Sequence, residues 1–415
     1  MTINKTSFVF LFIICFSFYF KGEAQNSVSS PYSIFGVGVL EPKSDATNAG
    51  MGHTGIALSS DGYINTLNPA SLSGLDSTTF LFNIQGKASF SKFETQLESQ
   101  HNFDANLDAF QMAFKVNRNW GMSFSLQPFS SIGYNIYSEK YILGTMSTYP
   151  VEYIGEGGIS QVSWSNGIRI AKGFSLGLSA SFLWGNTDVI ENSYYPSITG
   201  ETITNSRSYK VNSLLLEYGF QYHQPIGSSV LSFGARINTE SQLHNSYEHN
   251  ISNDNGVQLL ESSDGGADLF LPCSYGFGVA LQFRDAWLFT GDYRYGNWSE
   301  SQLNIGAGEY KDTHGASLGI QFTPQKNYYR SYFNQIKYRA GVFYNQNYFA
   351  INGINLDEKG VTFGATLPVK ASKINIAYEY KQSGTMEGGL IKENYHNIKV
   401  GFTFNETWFR KSKFQ

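Results

Sequence analysis

Charge is what this 415-residue sequence has least of. Its 29 basic and 33 acidic side chains amount to 15% of the residues, against roughly 25% in an ordinary soluble domain. A basic excess is also missing. The formal net charge is -4, and that excludes nucleic acid as a partner, which calls for a basic surface. Apolar runs are short: past the N-terminus there is no stretch of about 18 consecutive apolar residues, which excludes spanning helices. Cysteine is almost absent, with two in the chain. Cys15 falls in a leader, so the mature chain keeps only Cys273 and no intramolecular disulfide is available. Disorder is excluded too, because it needs low apolar content with high net charge. What the chain has in abundance is aromatic residues, 33 Phe, 27 Tyr and 6 Trp, together with 42 Gly. A single large β structure whose outer face does not meet water fits that combination.

Residues 1–24 read as a secretory signal peptide. Lys5 gives a positive start, Phe8 to Phe20 an apolar core, and Gly22-Glu23-Ala24 a small-x-small cleavage site before Gln25. The apolar run is too short for a membrane anchor, which takes about 20 residues.

From about residue 78 the chain alternates. Ile374, Ile376, Tyr378 and Tyr380 are interleaved with Lys373, Asn375, Ala377, Glu379 and Lys381. Successive side chains of a strand point to opposite faces, so one face is apolar and the other polar and small. Fourteen such segments can be marked: 78–92, 104–117, 119–137, 151–171, 173–192, 208–224, 228–248, 272–284, 286–298, 313–323, 334–346, 360–369, 372–383 and 395–406. An even count, short turns alternating with long connections, and aromatics near strand ends (Tyr293, Tyr295, Trp298, Tyr328, Tyr329, Tyr332) are the marks of a bacterial transmembrane barrel. A soluble β-sandwich or propeller also alternates, but chains of this size then carry more charge.

The expected fold is therefore all-β: a 14-stranded antiparallel transmembrane barrel of the outer membrane, spanning 78–409, with a C-terminal tail at 410–415. Residues 25–77 differ. They are rich in Ser, Gly, Asn, Ala and Pro and lack period-2 alternation. They read as a hatch, or plug, inside the lumen, where small residues allow close packing; a disordered tail is the alternative.

This segment also carries a family resemblance. Asp45-Ala46-Thr47-Asn48-Ala49-Gly50-Met51-Gly52, then Gly55-Ile56-Ala57, then Asn65-Thr66-Leu67-Asn68-Pro69-Ala70-Ser71-Leu72 resembles the hatch of the FadL family of outer-membrane transporters. Asn68, Pro69 and Ala70 form the most telling short motif. Leu271-Pro272, Tyr275-Gly276-Phe277-Gly278, Gly291-Asp292-Tyr293-Arg294-Tyr295 and Tyr338-Arg339-Ala340-Gly341-Val342-Phe343-Tyr344 extend the likeness along the barrel. The opening Ser30-Pro31-Tyr32-Ser33-Ile34-Phe35-Gly36 looks like a divergent branch that also includes barrels similar to the PorV-type subunit of the type IX secretion system. The resemblance implies a hydrophobic ligand, fatty acid-like, that meets the hatch and leaves sideways through a gap made by a kink in the third strand. Here Pro128, Phe129 and Gly133 are the candidate lateral portal, since Pro removes a ladder donor and Gly permits a bulge. The branch implies the alternative role of an accessory barrel in an outer-membrane complex, with other outer-membrane proteins as partners.

By parity the lumen should receive Arg169, Glu217, Asp292, Arg294, Lys337, Arg339, Lys373, Glu379 and Lys399. The basic groups among them can bind a head-group carboxylate; more often such charges pair among themselves and fix the hatch. Phe270, Leu271 and Phe349 to Ile354 are expected to form apolar patches on long loops. The sequence offers no metalloprotease or P-loop motif, and no Ser/His/Asp set can be assembled, so neither an enzyme nor a cofactor is expected. His244 and His249, near Glu240 and Glu248, offer a metal site as an alternative, but their loose spacing favours polar loop residues, and no metal is expected. Outer-membrane lipid is the surrounding medium.

Overall fold

A computed structural model describes residues 30–76, 79–195, 201–265, 269–301, 308–324, 331–370 and 372–407. The expected signal peptide (residues 1–24), the expected C-terminal tail (410–415), Gln25 to Ser29, Tyr328 and Tyr329 lie outside the described residues.

Among the described residues, fourteen strands close into one antiparallel barrel. They are β1 (Thr79–Glu94), β2 (Ser99–Asn117), β3 (Trp120–Tyr141), β4 (Thr148–Ala171), β5 (Phe174–Tyr194), β6 (Thr202–Ile226), β7 (Ser229–Asn238), β8 (Ser274–Phe283), β9 (Trp287–Gly296), β10 (Thr313–Phe322), β11 (Lys337–Asn345), β12 (Glu358–Val369), β13 (Ser372–Ser383) and β14 (Lys392–Thr407). The ladder shuts where β1 meets β14, from Thr79 opposite Thr407 to Glu94 opposite Lys392. Closure removes the sheet edges that lipid could not satisfy.

Period-2 alternation sets the two faces. On β5, Phe174, Leu176, Leu178, Phe182 and Trp184 are exposed on the outer wall, while Ser175, Ser179, Ser181 and Leu183 are buried. The outer wall carries further aromatics near strand ends, where a tyrosine hydroxyl meets a histidine: Tyr293 with His314 at 2.7 Å, and Tyr378 with His396 at 2.7 Å. Such amphipathic side chains suit the membrane interface. Trp298 corrects the expectation for that girdle. It is buried above the lumen and stacks on Tyr348 at 4.5 Å.

The wall is uneven in height. β6 has 25 residues and β11 only 9. At about 3.3 Å per residue, β3 to β6 run far beyond their partners. The stretches 138–150, 193–207 and 249–271, expected to be loops, are largely strand. β7 continues upward as Ser241–Asn253, which pairs with β6 and with Gln258–Gly265. The result is a sheet standing above one half of the barrel. Backbone pairing can continue in water as well as in lipid, so membrane thickness does not end these strands.

One prediction follows from closure. Detergent-extracted protein should migrate faster on a gel unheated than boiled, because the closed ladder survives mild detergent. Identical migration would contradict the barrel.

Candidate functional site: the lumen and the segment that fills it

Residues 30–76 lie against the inner wall, and the local chemistry explains how. Asp45 caps the short helix Ala46–Ala49, its Oδ1 accepting from Asn48 N at 2.9 Å. Burial pushes the Asp45 carboxyl up to about 6, against the pull of the Asn48 N–H. Asn68 caps a second turn, Pro69–Gly74, its Oδ1 accepting from Ala70 N at 3.0 Å. Its Nδ2 donates to Ile56 O at 2.8 Å, to Phe220 O of β6 at 3.0 Å and to Ala235 O of β7 at 3.3 Å. Asn68, Pro69 and Ala70 are all buried, so the motif is a clasp between the segment and the wall.

The wall makes room by glycine. A Cβ on Gly219 would sit 2.1 Å from Asn68 Oδ1, and one on Gly341 would sit 2.2 Å from Gly52 N. No other residue permits that approach.

The lumen charges read from parity meet this segment in different ways. Asp292 Oδ2 accepts from Gly55 N at 2.7 Å and Ile56 N at 3.1 Å. Arg294 donates to His53 O at 3.1 Å, Arg169 to Ser73 O at 3.2 Å and Lys399 to Ser44 O at 3.4 Å. Lys373 donates to Gly62 O at 2.9 Å. Glu217 pairs with Lys43 at 3.3 Å and Arg236 at 3.6 Å. Lys399 also pairs with Asp108 at 3.0 Å, and Glu379 pairs with His53. Arg339 instead bonds within the wall, to Gln321 at 2.8 Å and Thr366 at 2.7 Å. Lys337 stands at the foot of β11, two residues before Arg339 on the same face. Sequence reading missed Lys115, which donates to Ser73 O and Leu75 O at 2.6 and 2.7 Å, and Gln221, which donates to Ile56 O and Leu58 O at 2.8 and 3.0 Å. Their parity was a usable signal; their hatch partners were not.

The third strand does depart from its neighbour. β2 pairs with β3 from Phe110 opposite Leu126 down to Asn117 opposite Trp120. Above that point β3 bulges at Phe129, between Pro128 opposite Ser160 and Ser130 opposite Ile159. There the N-terminal segment takes over its free edge. Val39 and Leu40 pair with Ser131 and Ser130, Glu41 N donates to Phe129 O at 3.0 Å, and Ser30 N donates to Gly133 O at 2.8 Å. The candidate portal is thus a parting of strands whose β3 side is hydrogen-bonded by residues 30–41.

Above the segment lies a cavity of about 370 Å³. Its wall includes Glu41, Lys87, Glu358, Lys381 and Glu393. Lys87 pairs with Glu41 at 2.9 Å and Lys381 with Glu358 at 2.9 Å. A lid closes it from outside. Tyr348 donates to Gly38 O at 2.6 Å and packs with Trp298, Phe349, Tyr32, Val37 and Leu271. This corrects a second expectation. Leu271, Phe349 and Ile351 are core of the lid, not exposed loop patches. The exposed apolar tips are Leu97, Leu143 and Met146, at 94%, 100% and 98% exposure.

Gly173-Phe174-Ser175-Leu176-Gly177 has the spacing of a hydrolase nucleophile elbow, but Gly173 belongs to the turn before β5, Phe174 to Gly177 run on as strand with no helix after the serine, and Ser175 Oγ accepts from Ser73 Oγ at 2.7 Å. His244 and His249 fall on opposite faces of one strand, and His249 Nε2 bonds Asn205 Oδ1 at 2.8 Å.

A closed fourteen-stranded antiparallel barrel with an apolar and aromatic outer wall is the fold of FadL-type barrels. Solved structures of the same architecture include a Pseudomonas aeruginosa FadL homologue (13% identity, covering 88% of this chain and 99% of that one, TM-score 0.61). The P. putida toluene transporter TodX (16%, 89% and 100%, TM-score 0.59) and the Ralstonia pickettii toluene transporter TbuX (13%, 88% and 98%, TM-score 0.59) share it as well. No curated protein matches the sequence. The chain belongs to the BamG family, whose model matches residues 3–415.

Proposed function

We propose that this barrel is an accessory, non-transporting subunit of an outer-membrane complex for protein secretion or assembly, with residues 25–77 as a standing seal. The observation that carries this reading is the network of bonds between residues 30–76 and the inner wall. The Asn68 clasp, the Asp292 and Lys115 contacts and the Tyr348 lid tie the segment to the wall at both ends of the barrel. A route for an apolar solute needs an apolar path, and the wall of the cavity above the segment holds the Lys87–Glu41 and Lys381–Glu358 ion pairs. Exposed Leu97, Leu143 and Met146 provide apolar loop tips for protein contacts.

A second reading is uptake of small hydrophobic, fatty acid-like molecules. The parting of β2 and β3 at Pro128 to Gly133 favours it, together with the toluene transporters among the barrels of the same architecture.

One experiment separates the two: gentle-detergent purification of the native protein, with proteomics and lipidomics on the same eluate. The subunit reading expects outer-membrane proteins at fixed stoichiometry. A lone barrel carrying a fatty acid or another amphiphile would overturn it in favour of transport.

A further inference from the structure

The sheet standing above the barrel has two unlike faces. Both can be followed by parity from the wall below, because the ladders β4–β5, β5–β6 and β6 with Ser241–Asn253 run through this region without a register shift. The outward face is polar and satisfied within itself around an Ile154–Ile190 pair. Glu152 accepts from Asn135, Asn192 and Tyr194 at 3.0 to 3.2 Å, Ser208 donates to Asn186 at 3.0 Å, and Lys210 pairs with Glu248 at 2.7 Å. Charges on that face also place it beyond the lipid.

The face continuous with the lumen is different. Tyr153, Val189, Tyr209, Tyr247 and Ile251 are half-buried across neighbouring strands. Tyr209 and Tyr247 lie 5.1 Å apart, and His249 is 5.9 Å from Tyr247. The pair Lys140–Glu191 (2.5 Å) borders it, with Lys140 Nζ 5.2 Å over the Tyr153 ring. Arg207 stands in the middle, on β6 opposite both Val189 and His249. It is exposed, and no acidic side chain pairs with it among the described residues.

We propose that this inner face is a docking surface for a partner protein segment that sets a carboxylate against Arg207 and apolar or aromatic side chains against Tyr209, Tyr247 and Val189. The inference rests on the subunit reading and adds where on this chain a partner sits and what it presents. Tyrosine with arginine is the composition of binding hot spots, large contact area at small entropic cost. An unpaired guanidinium among aromatic rings is complementary to a bidentate carboxylate.

The test places a photo-crosslinking residue in the full chain in native membranes, at Val189 or Tyr209 on the inner face and at Asp188 or Ser208 on the outer. The expected result is one discrete protein adduct from the inner positions alone, mapping beside an acidic residue of the partner. Arg207→Glu should reduce its yield about tenfold, as truncating a buried charge pair does, while Arg207→Lys should keep much of it. Adducts from both faces alike, adducts to a second copy of this chain or to lipopolysaccharide, or no adduct would each overturn the proposal. Failure here differs from failure of the subunit reading. A complex that co-purifies at full stoichiometry with Arg207→Glu leaves a subunit that docks elsewhere. No complex around the unaltered protein removes the subunit role itself.

Discussion

Replacing Gly219 with Val should expel the Asn68 clasp from the wall while the barrel still closes. The new Cβ falls 2.1 Å from Asn68 Oδ1 and 2.8 Å from Pro69 Cδ, and neither can give way without losing the bonds that Asn68 makes to Ile56, Phe220 and Ala235. Overpacking costs about 1–3 kcal/mol, and each lost hydrogen bond adds about 1 kcal/mol. Gly177→Val should behave alike, because its Cβ meets Ala70 N at 2.1 Å. The ladder does not depend on either side chain, so heat-shifted migration should persist. Protease cleavage within residues 60–76 should accelerate, and large antibiotics should leak into cells. Unchanged protection would show that this contact does not hold the segment.

The second large effect is expected from Glu217→Leu. Its carboxylate is buried and faces Lys43 from the segment and Arg236 from the wall, at 3.3 and 3.6 Å. Removing it leaves two cations in a confined lumen, and breaking a buried pair costs about 3–5 kcal/mol. Protease release of the segment reports the loss. Adding Lys43→Met should recover part of it, because one stranded charge is gone. A control is Lys210–Glu248, whose side chains are 56% and 58% exposed. Breaking that pair should change stability by no more than about 1 kcal/mol. Equal effects at both sites would show that the lumen is as well solvated as the surface.

Much of the architecture was legible because a barrel strand repeats one instruction every two residues. Ile376 and Tyr378 outward, Asn375 and Ala377 inward, is the same statement in the sequence and in the wall. The lumen position of Asp292, Arg294 and Arg339 followed from the same parity. What each touches did not. Asp292 holds the backbone of Gly55 and Ile56 across 237 and 236 residues, and no local pattern encodes such a partner. Strand ends above the membrane were not legible, because polar residues such as Asn205 and Ser206 extend a ladder in water while reading as loop. The burial of Phe349 and Ile351 was not legible either, because apolar loop residues look alike whether they face solvent or fold back as a lid.

By itself, then, the sequence determined the strand periodicity, the even strand count, the two-faced wall and the small-residue segment ahead of it, since these arise from local alternation and from which face meets lipid. The tertiary structure alone decided that the segment is clasped at Asn68 and Asp292, that residues 30–41 take the free edge of β3, and that Arg207 stands unpaired among tyrosines above the mouth. Those outcomes depend on groups far apart in the chain being brought within hydrogen-bond distance, and only the closed fold sets that distance.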